Sequence, residues 1–323
     1  MAAVGAAIAA IAASGAGAQH KSVTLNLVAY STPKPVMTKL IAAFQATPQG
    51  SGINFTTSYG GSSAQAAAVV AGQPADVVIF STGTDMNLLA DHGLLSPKWN
   101  KMSYGGVVWN SVVVFALRNG NPKHIKTWTD LVKPGVGVLI PNPFTAGLAK
   151  WDILAPYYAE RVAGKTDAQA QAFIKQLYQN VVSQDSSGSN ATNTFLSGKG
   201  DVLLTFESEA INGNIGYVIP KVTMKIDIYG GVVTKSQNQA EASAFLRYVK
   251  SPAGQTILGQ NGYRPVDKKV FAEFKSKYPV RPGEASIDNN ILQGWRAVDK
   301  KWFDPNTGIM AKIEKGLGVS TTG

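Results

Sequence analysis

The sequence predicts an α/β protein with mostly parallel sheets, and three observations carry that expectation. Short apolar runs alternate with segments of helical periodicity over the first two hundred residues. Beyond about residue 230 the strand signal fades and helical patterns dominate. The chain has 323 residues, 45% of them hydrophobic, enough for two domains with real cores.

The elements follow in order. Val23 to Ala29 reads as a buried strand, and Val36 to Gln45 as a helix with apolar residues at helical spacing. Ile53 to Thr57, Asp76 to Phe80 and Val112 to Leu117 are further strands, with helices over Ser63 to Ala71 and Asp85 to Asp91. A strand over Val136 to Ile140 leads into Asn142-Pro143; helices over Ala149 to Val162 and Asp167 to Asn180 follow, then a strand over Val202 to Thr205. Packing helices are expected at Gln239 to Lys250, Pro252 to Gln260, Lys268 to Lys277 and Ile287 to Trp302. Gly-Gly pairs at 105 to 106 and 230 to 231 suit either the two crossings of a hinge or ordinary loops.

Four segments share a composition that bears on function: Tyr30 to Pro33, Tyr59 to Gln65, Asn142 to Leu148 and Ser186 to Thr194. Each is rich in Gly, Ser, Thr or Asn and opens a helix after a strand. The first N–H groups of a helix lack partners and carry partial positive charge, so several such starts aimed at one point make an anion site. None of the four contains Arg, Lys, His, Cys, Asp or Glu. That favours an anion held by neutral donors over acid/base or metal chemistry, although any one segment alone also reads as a plain helix cap.

Other classes are disfavoured. Net charge is +10, but the 30 Lys and Arg never run longer than two, unlike the clustered footprint of a nucleic-acid binder. With no Cys, disulfides and thiolate chemistry are out, and the three His (20, 92, 124) lack metal-ligand spacing. No G-x-S-x-G elbow occurs, Gly60-Gly61-Ser62-Ser63 lacks the Gly-Lys-Ser/Thr ending of a phosphate loop, and Glu207 and Glu209 diverge at a spacing of two. Tyr157-Tyr158 face different directions on a helix, and Trp128, Trp151, Trp295 and Trp302 read as packing residues. Residues 1 to 18 form a small-residue apolar stretch ending in Ala16-Gly17-Ala18, which reads as an export signal lacking its basic start.

Asn142-Pro143-Phe144-Thr145-Ala146-Gly147-Leu148-Ala149-Lys150 resembles the Asn-Pro-Lys-Ser/Thr-Ser-Gly-x-Ala-Arg signature of bacterial sulfate- and thiosulfate-binding proteins, the extracytoplasmic receptors of ABC importers. Collinear matches include Gly60-Gly61-Ser62, Ala75-Asp76-Val77-Val78, Gly120-Asn121-Pro122-Lys123, Ala191-Thr192-Asn193-Thr194-Phe195, Gly200-Asp201-Val202-Leu203 and Tyr263-Arg264-Pro265, over about residues 22 to 305. The resemblance implies a two-lobed, type II periplasmic-binding-protein fold, each lobe a sheet flanked by helices and the two joined by a hinge. It places one lobe at 22–111 with 231–323 and the other at 112–230.

By the same resemblance, the oxyanion is held by the hydroxyl of Ser62, the backbone N–H groups of Ser31, Ala146, Gly147, Leu148 and Gly188, and the residue at Phe206. The family commonly has Trp at that last position, and Phe supplies no donor. Lys150 stands where the signature has Arg and is expected at solvent. The implied function is capture of sulfate or thiosulfate by an exported, periplasmic, monomeric protein without cofactor, metal or catalysis, and delivery to an ABC permease. Another oxyanion such as molybdate or phosphate is the alternative, and a secreted hydrolase on this scaffold a further one.

Overall fold

The computed structural model describes residues 23–319 and 321, so the expected export signal lies outside the described residues. In chain order the first elements are β1 (Val23–Tyr30), α1 (Lys34–Gln45), β2 (Ile53–Gly60), α2 (Ser62–Val70), β3 (Val77–Phe80), α3 (Gly83–Asp91) and β4 (Val107–Leu117). The middle of the chain forms β5 (Val138–Leu139), α4 (Gly147–Val162), α5 (Asp167–Gln179), β6 (Val181–Ser183), α6 (Gly188–Leu196), β7 (Val202–Phe206), α7 (Glu207–Asn212), β8 (Tyr217–Val218) and β9 (Val222–Val232). The last part holds α8 (Gln239–Lys250), α9 (Pro252–Gln260), α10 (Lys268–Glu273), β10 (Gly283–Ala285), α11 (Trp295–Val298) and α12 (Ile309–Gly316). No described helix is long and apolar enough to cross a membrane.

The strands run in the order β2-β1-β3-β9-β4-β7-β5-β6. Two parallel groups, β2-β1-β3 and β7-β5-β6, lie at opposite ends, and between them stand two long strands that pair antiparallel with each other. These two, β4 and β9, have 11 residues each, reach β3 on one side and β7 on the other, and connect the two halves. Val77 to Phe80 of β3 are wholly buried, as expected of a strand covered on both faces. In β9, Met224, Ile226 and Ile228 are buried, while Thr223 before them and Asp227 among them are held by the Val113 carbonyl and the Asn110 amide.

Three expectations need correction. β9 is absent from the expected strands, although Val222 to Ile228 alternates apolar with polar residues. The helix expected over 287–302 is interrupted, because Gln293 and Gly294 take left-handed backbone (φ 62° and 86°) and only Trp295–Val298 is α-helical, followed by a π-turn. The Gly230-Gly231 pair is not in a loop but inside β9, the strand that crosses between the halves, with ordinary extended backbone; a Cβ on Gly230 would lie 2.7 Å from Val108 Cγ1.

Candidate functional site

The ends of β1, β2 and β3 converge on the starts of α4 and α6. This follows from the topology, since loops after parallel strands open at the carboxyl edge of each half-sheet. A small cavity lies there, with about 10 Å³ of space, close to the room one water molecule needs. One half contributes Tyr30, Ser31 and Thr32, the Gly60-Gly61-Ser62 turn and Ser81; the other contributes Ala146, Gly147, Leu148 and Gly188.

Six of the seven residues assigned from the sequence therefore line one cavity, drawn from segments up to 157 positions apart in the chain (Ser31 to Gly188). Phe206 does not. It is fully buried at the end of β7, edge-on to the Tyr30 ring with centroids 6.0 Å apart, so Tyr30 stands in the lining where Phe206 was expected. Lys150 is also displaced from its expected place: it is buried, with its ammonium 5.3 Å from the Phe303 ring centroid.

The donors divide into spent and available. The Ser62 hydroxyl donates to Asp85 Oδ2 at 2.6 Å and accepts from the Ser81 N–H at 3.0 Å, so its proton is directed away from the cavity. Ala146 N–H is spent on the Asn142 carbonyl at 2.9 Å, and the Ser63 and Ala64 N–H groups at the start of α2 go to the Thr145 carbonyl at 3.0 and 3.1 Å. Gly147 and Leu148 are the first two residues of the 16-residue α4, which has no side-chain cap, so their N–H groups have no partner within the helix. Gly188 holds the same place in α6, whose Ser187 cap receives the Asn190 N–H at 3.2 Å and whose Ser189 N–H reaches Ser31 Oγ at 3.3 Å. Sequence reasoning treats the four starts as equivalent, whereas two N–H groups at the start of α2 are spent and the first N–H groups of α4 and α6 have no partner within the helix.

Both starts are closely approached, Gly147 too closely for a Cβ without a shift and Gly188 tightly. A Cβ on Gly147 would lie 2.3 Å from Ser81 Oγ, and one on Gly188 would lie 3.0 Å from Thr32 Cγ2. Further bonds hold the halves together around the cavity, including Trp151 Nε1 of α4 donating to the Ser81 carbonyl at 2.7 Å. Trp151 was expected only to pack, and nothing in its spacing signals this bond.

The lining of the site carries no charged side chain. Tyr30 is the one titratable side chain among the lining residues; burial raises its pKa well above the ordinary tyrosine range, and its hydroxyl accepts from Trp109 Nε1 at 3.1 Å. Behind the lining, burial pushes the Glu209 carboxyl up to about 7, while the Thr192 hydroxyl donates to it at 3.1 Å. Among the described residues no group of three His, Asp or Glu stands close enough to hold a metal ion.

A two-lobed α/β fold that closes a small cavity between facing helix starts is the architecture of a protein that encloses a small solute. Residues 25–264 match the family described as bacterial extracellular solute-binding protein, and the chain belongs to that family. It is 34% identical over 304 residues to the thiosulfate-binding protein of Pseudomonas aeruginosa, covering 89% of this chain and 91% of the relative. It is also 34% identical over 312 residues to the sulfate-binding protein of Escherichia coli, covering 91% and 94% of the two chains. The solved structure of the sulfate-binding protein SubI from Mycobacterium tuberculosis superimposes with a TM-score of 0.83 at 37% identity, covering 86% of this chain and 98% of that one. The periplasmic molybdate-binding protein of Azotobacter vinelandii, at 19% identity and a TM-score of 0.57, shares the fold.

Proposed function

We propose that this chain captures a fully ionised tetrahedral oxyanion, sulfate or thiosulfate, in the cavity and delivers it to the permease of an ABC importer. The observation that carries the reading is the neutral lining: free N–H groups of Gly147, Leu148 and Gly188 from one half face hydroxyls of the other, with no carboxylate or cation among the lining residues. A dianion in such a place is stabilised by helix starts and charge-assisted hydrogen bonds. The names of the similar proteins from Pseudomonas, Escherichia and Mycobacterium support the same ligand class.

Residues 22–111 with 231–323 would form one lobe and 112–230 the other, with β4 and β9 as the crossing strands. An oxyanion is larger than the space between the closed halves, so binding would part them and reclose them around the ligand, as in hinged receptors. The protein would work outside the cytoplasm, as a monomer and without turnover. Calorimetric titration with sulfate, thiosulfate, molybdate and phosphate tests the reading; heat only with an anion other than sulfate or thiosulfate would overturn the ligand assignment.

A further inference from the structure

We infer that the Ser81 hydroxyl, and not that of Ser62, is the side-chain donor to the bound anion. This rests on the oxyanion reading above and deepens it. Ser81 follows the last residue of β3, and its backbone is clamped on both sides: its N–H donates to Ser62 Oγ at 3.0 Å and its carbonyl accepts from Trp151 Nε1 at 2.7 Å. Its Oγ lines the cavity, is buried and has no hydrogen-bond partner. A buried hydroxyl without a partner is costly, and in a native protein it calls for a ligand or an ordered water.

Ser62, Ala146, Phe206 and Thr32 are weaker candidates. Ser62 donates its hydroxyl hydrogen bond to Asp85, and that carboxylate also accepts from the Thr82 hydroxyl at 2.8 Å. Ala146 has no donor in its side chain, and Phe206 lies outside the lining. Thr32 Oγ1 makes no well-formed bond, but the Glu209 carboxylate and the Tyr30 hydroxyl stand near enough to compete for its proton. Ser81 faces no such competition. Its Oγ lies against the first residue of α4, the distance to a Cβ built on Gly147 being 2.3 Å, so a hydroxyl from one half and a helix start from the other meet at one point.

The experiment compares wild type, Ser81→Ala and Ser81→Cys by calorimetric titration with sulfate at pH 7, alongside thermal unfolding with and without sulfate. Loss of one hydrogen bond to a charged group should weaken binding by about tenfold or more in Ser81→Ala. Ser81→Cys, which fills the space with a weak donor, should lose affinity as well. The unfolding midpoint without sulfate should stay unchanged in both, and the sulfate-induced rise should shrink. If both variants bind as tightly as wild type, or if Ser81→Ala fails to fold and Ser81→Cys binds as wild type, the inference is overturned while the oxyanion reading stands. If wild type itself binds neither sulfate nor thiosulfate, both fall.

Discussion

Arg264 Nε donates to Glu207 Oε2 at 2.6 Å, and both side chains are almost completely buried. Arg264 also meets Glu284 at 3.1 Å and the Pro279 carbonyl at 3.1 Å, and its backbone exchanges two bonds with Asn110 of β4. The pair thus joins the chain after α9 to the residue that opens α7, directly behind Phe206. Arg264 lies in a motif that carries the family resemblance, and the structure gives it a mechanical reason.

Removing one member of a buried pair leaves an uncompensated charge. Glu207→Ala is therefore expected to lower stability by roughly 3 to 5 kcal/mol. Urea unfolding of the ligand-free protein measures this, and a change within experimental error would mean that the Arg264 charge finds full compensation in Glu284.

Gly147→Ala should impair closure without unfolding either half. The new methyl would need space that Ser81 Oγ and Thr82 Cγ2 already fill, at 2.3 and 2.9 Å. Overpacking of this kind is expected to weaken sulfate binding by about tenfold or more, with the circular dichroism spectrum unchanged. Wild-type affinity in the variant would show that the halves do not approach this closely when the ligand is bound.

Selectivity follows from what the lining lacks. Near pH 7 phosphate still carries a proton that needs an acceptor once water is excluded, and no carboxylate lines the cavity. Carboxylates behind the lining are engaged elsewhere: Asp85 with the hydroxyls of Ser62 and Thr82, Glu209 with the Thr192 hydroxyl, and Glu207 with Arg264. The unmet bond costs roughly 1 to 3 kcal/mol, and crowding of the proton against N–H donors adds to it, so sulfate should bind about a hundredfold more tightly than phosphate. Competition of labelled sulfate by unlabelled phosphate decides this, with equal displacement as the contrary result.

Glu209 makes stability depend on pH. Its pKa rises from 4.5 to about 7 on folding, so the folded chain holds the proton more tightly than the unfolded one. Its stabilising contribution is complete below about pH 4.5 and is lost as pH climbs to about 7, amounting to roughly 3 kcal/mol. Glu209→Gln should flatten the stability profile between pH 4.5 and 7 relative to wild type. Parallel denaturation profiles for the two proteins would exclude this role.

Much of the architecture is legible in the sequence because period and turn chemistry act locally. Val23, Ile53, Val202, Gln239 and Pro252 each begin an observed element where the apolar pattern predicts one. What escapes is set by contacts between distant segments. Ala146 and Gly147 look equivalent in sequence, yet one N–H is spent within its own loop and the other is free. Ser62 and Ser81 are both serines at strand ends, and only the fold brings Asp85 within 2.6 Å of the first and leaves the second unpaired. Phe206 occupies its expected place in the motif order, but it is buried edge-on against the Tyr30 ring and does not line the cavity.

The position of β9 between β3 and β4 sets the order in which the protein can assemble. Val77 pairs with Val232, and Asn110 with Asp227, so the central strand of the sheet arrives more than a hundred residues after both of its neighbours. Until residue 232 is available, β3 and β4 have unpaired edges and no contact through a common strand, and such edges invite association with other chains. A chain growing from its N-terminus therefore cannot finish its first half before its second is made, so β3 and β4 keep open edges until most of the chain exists.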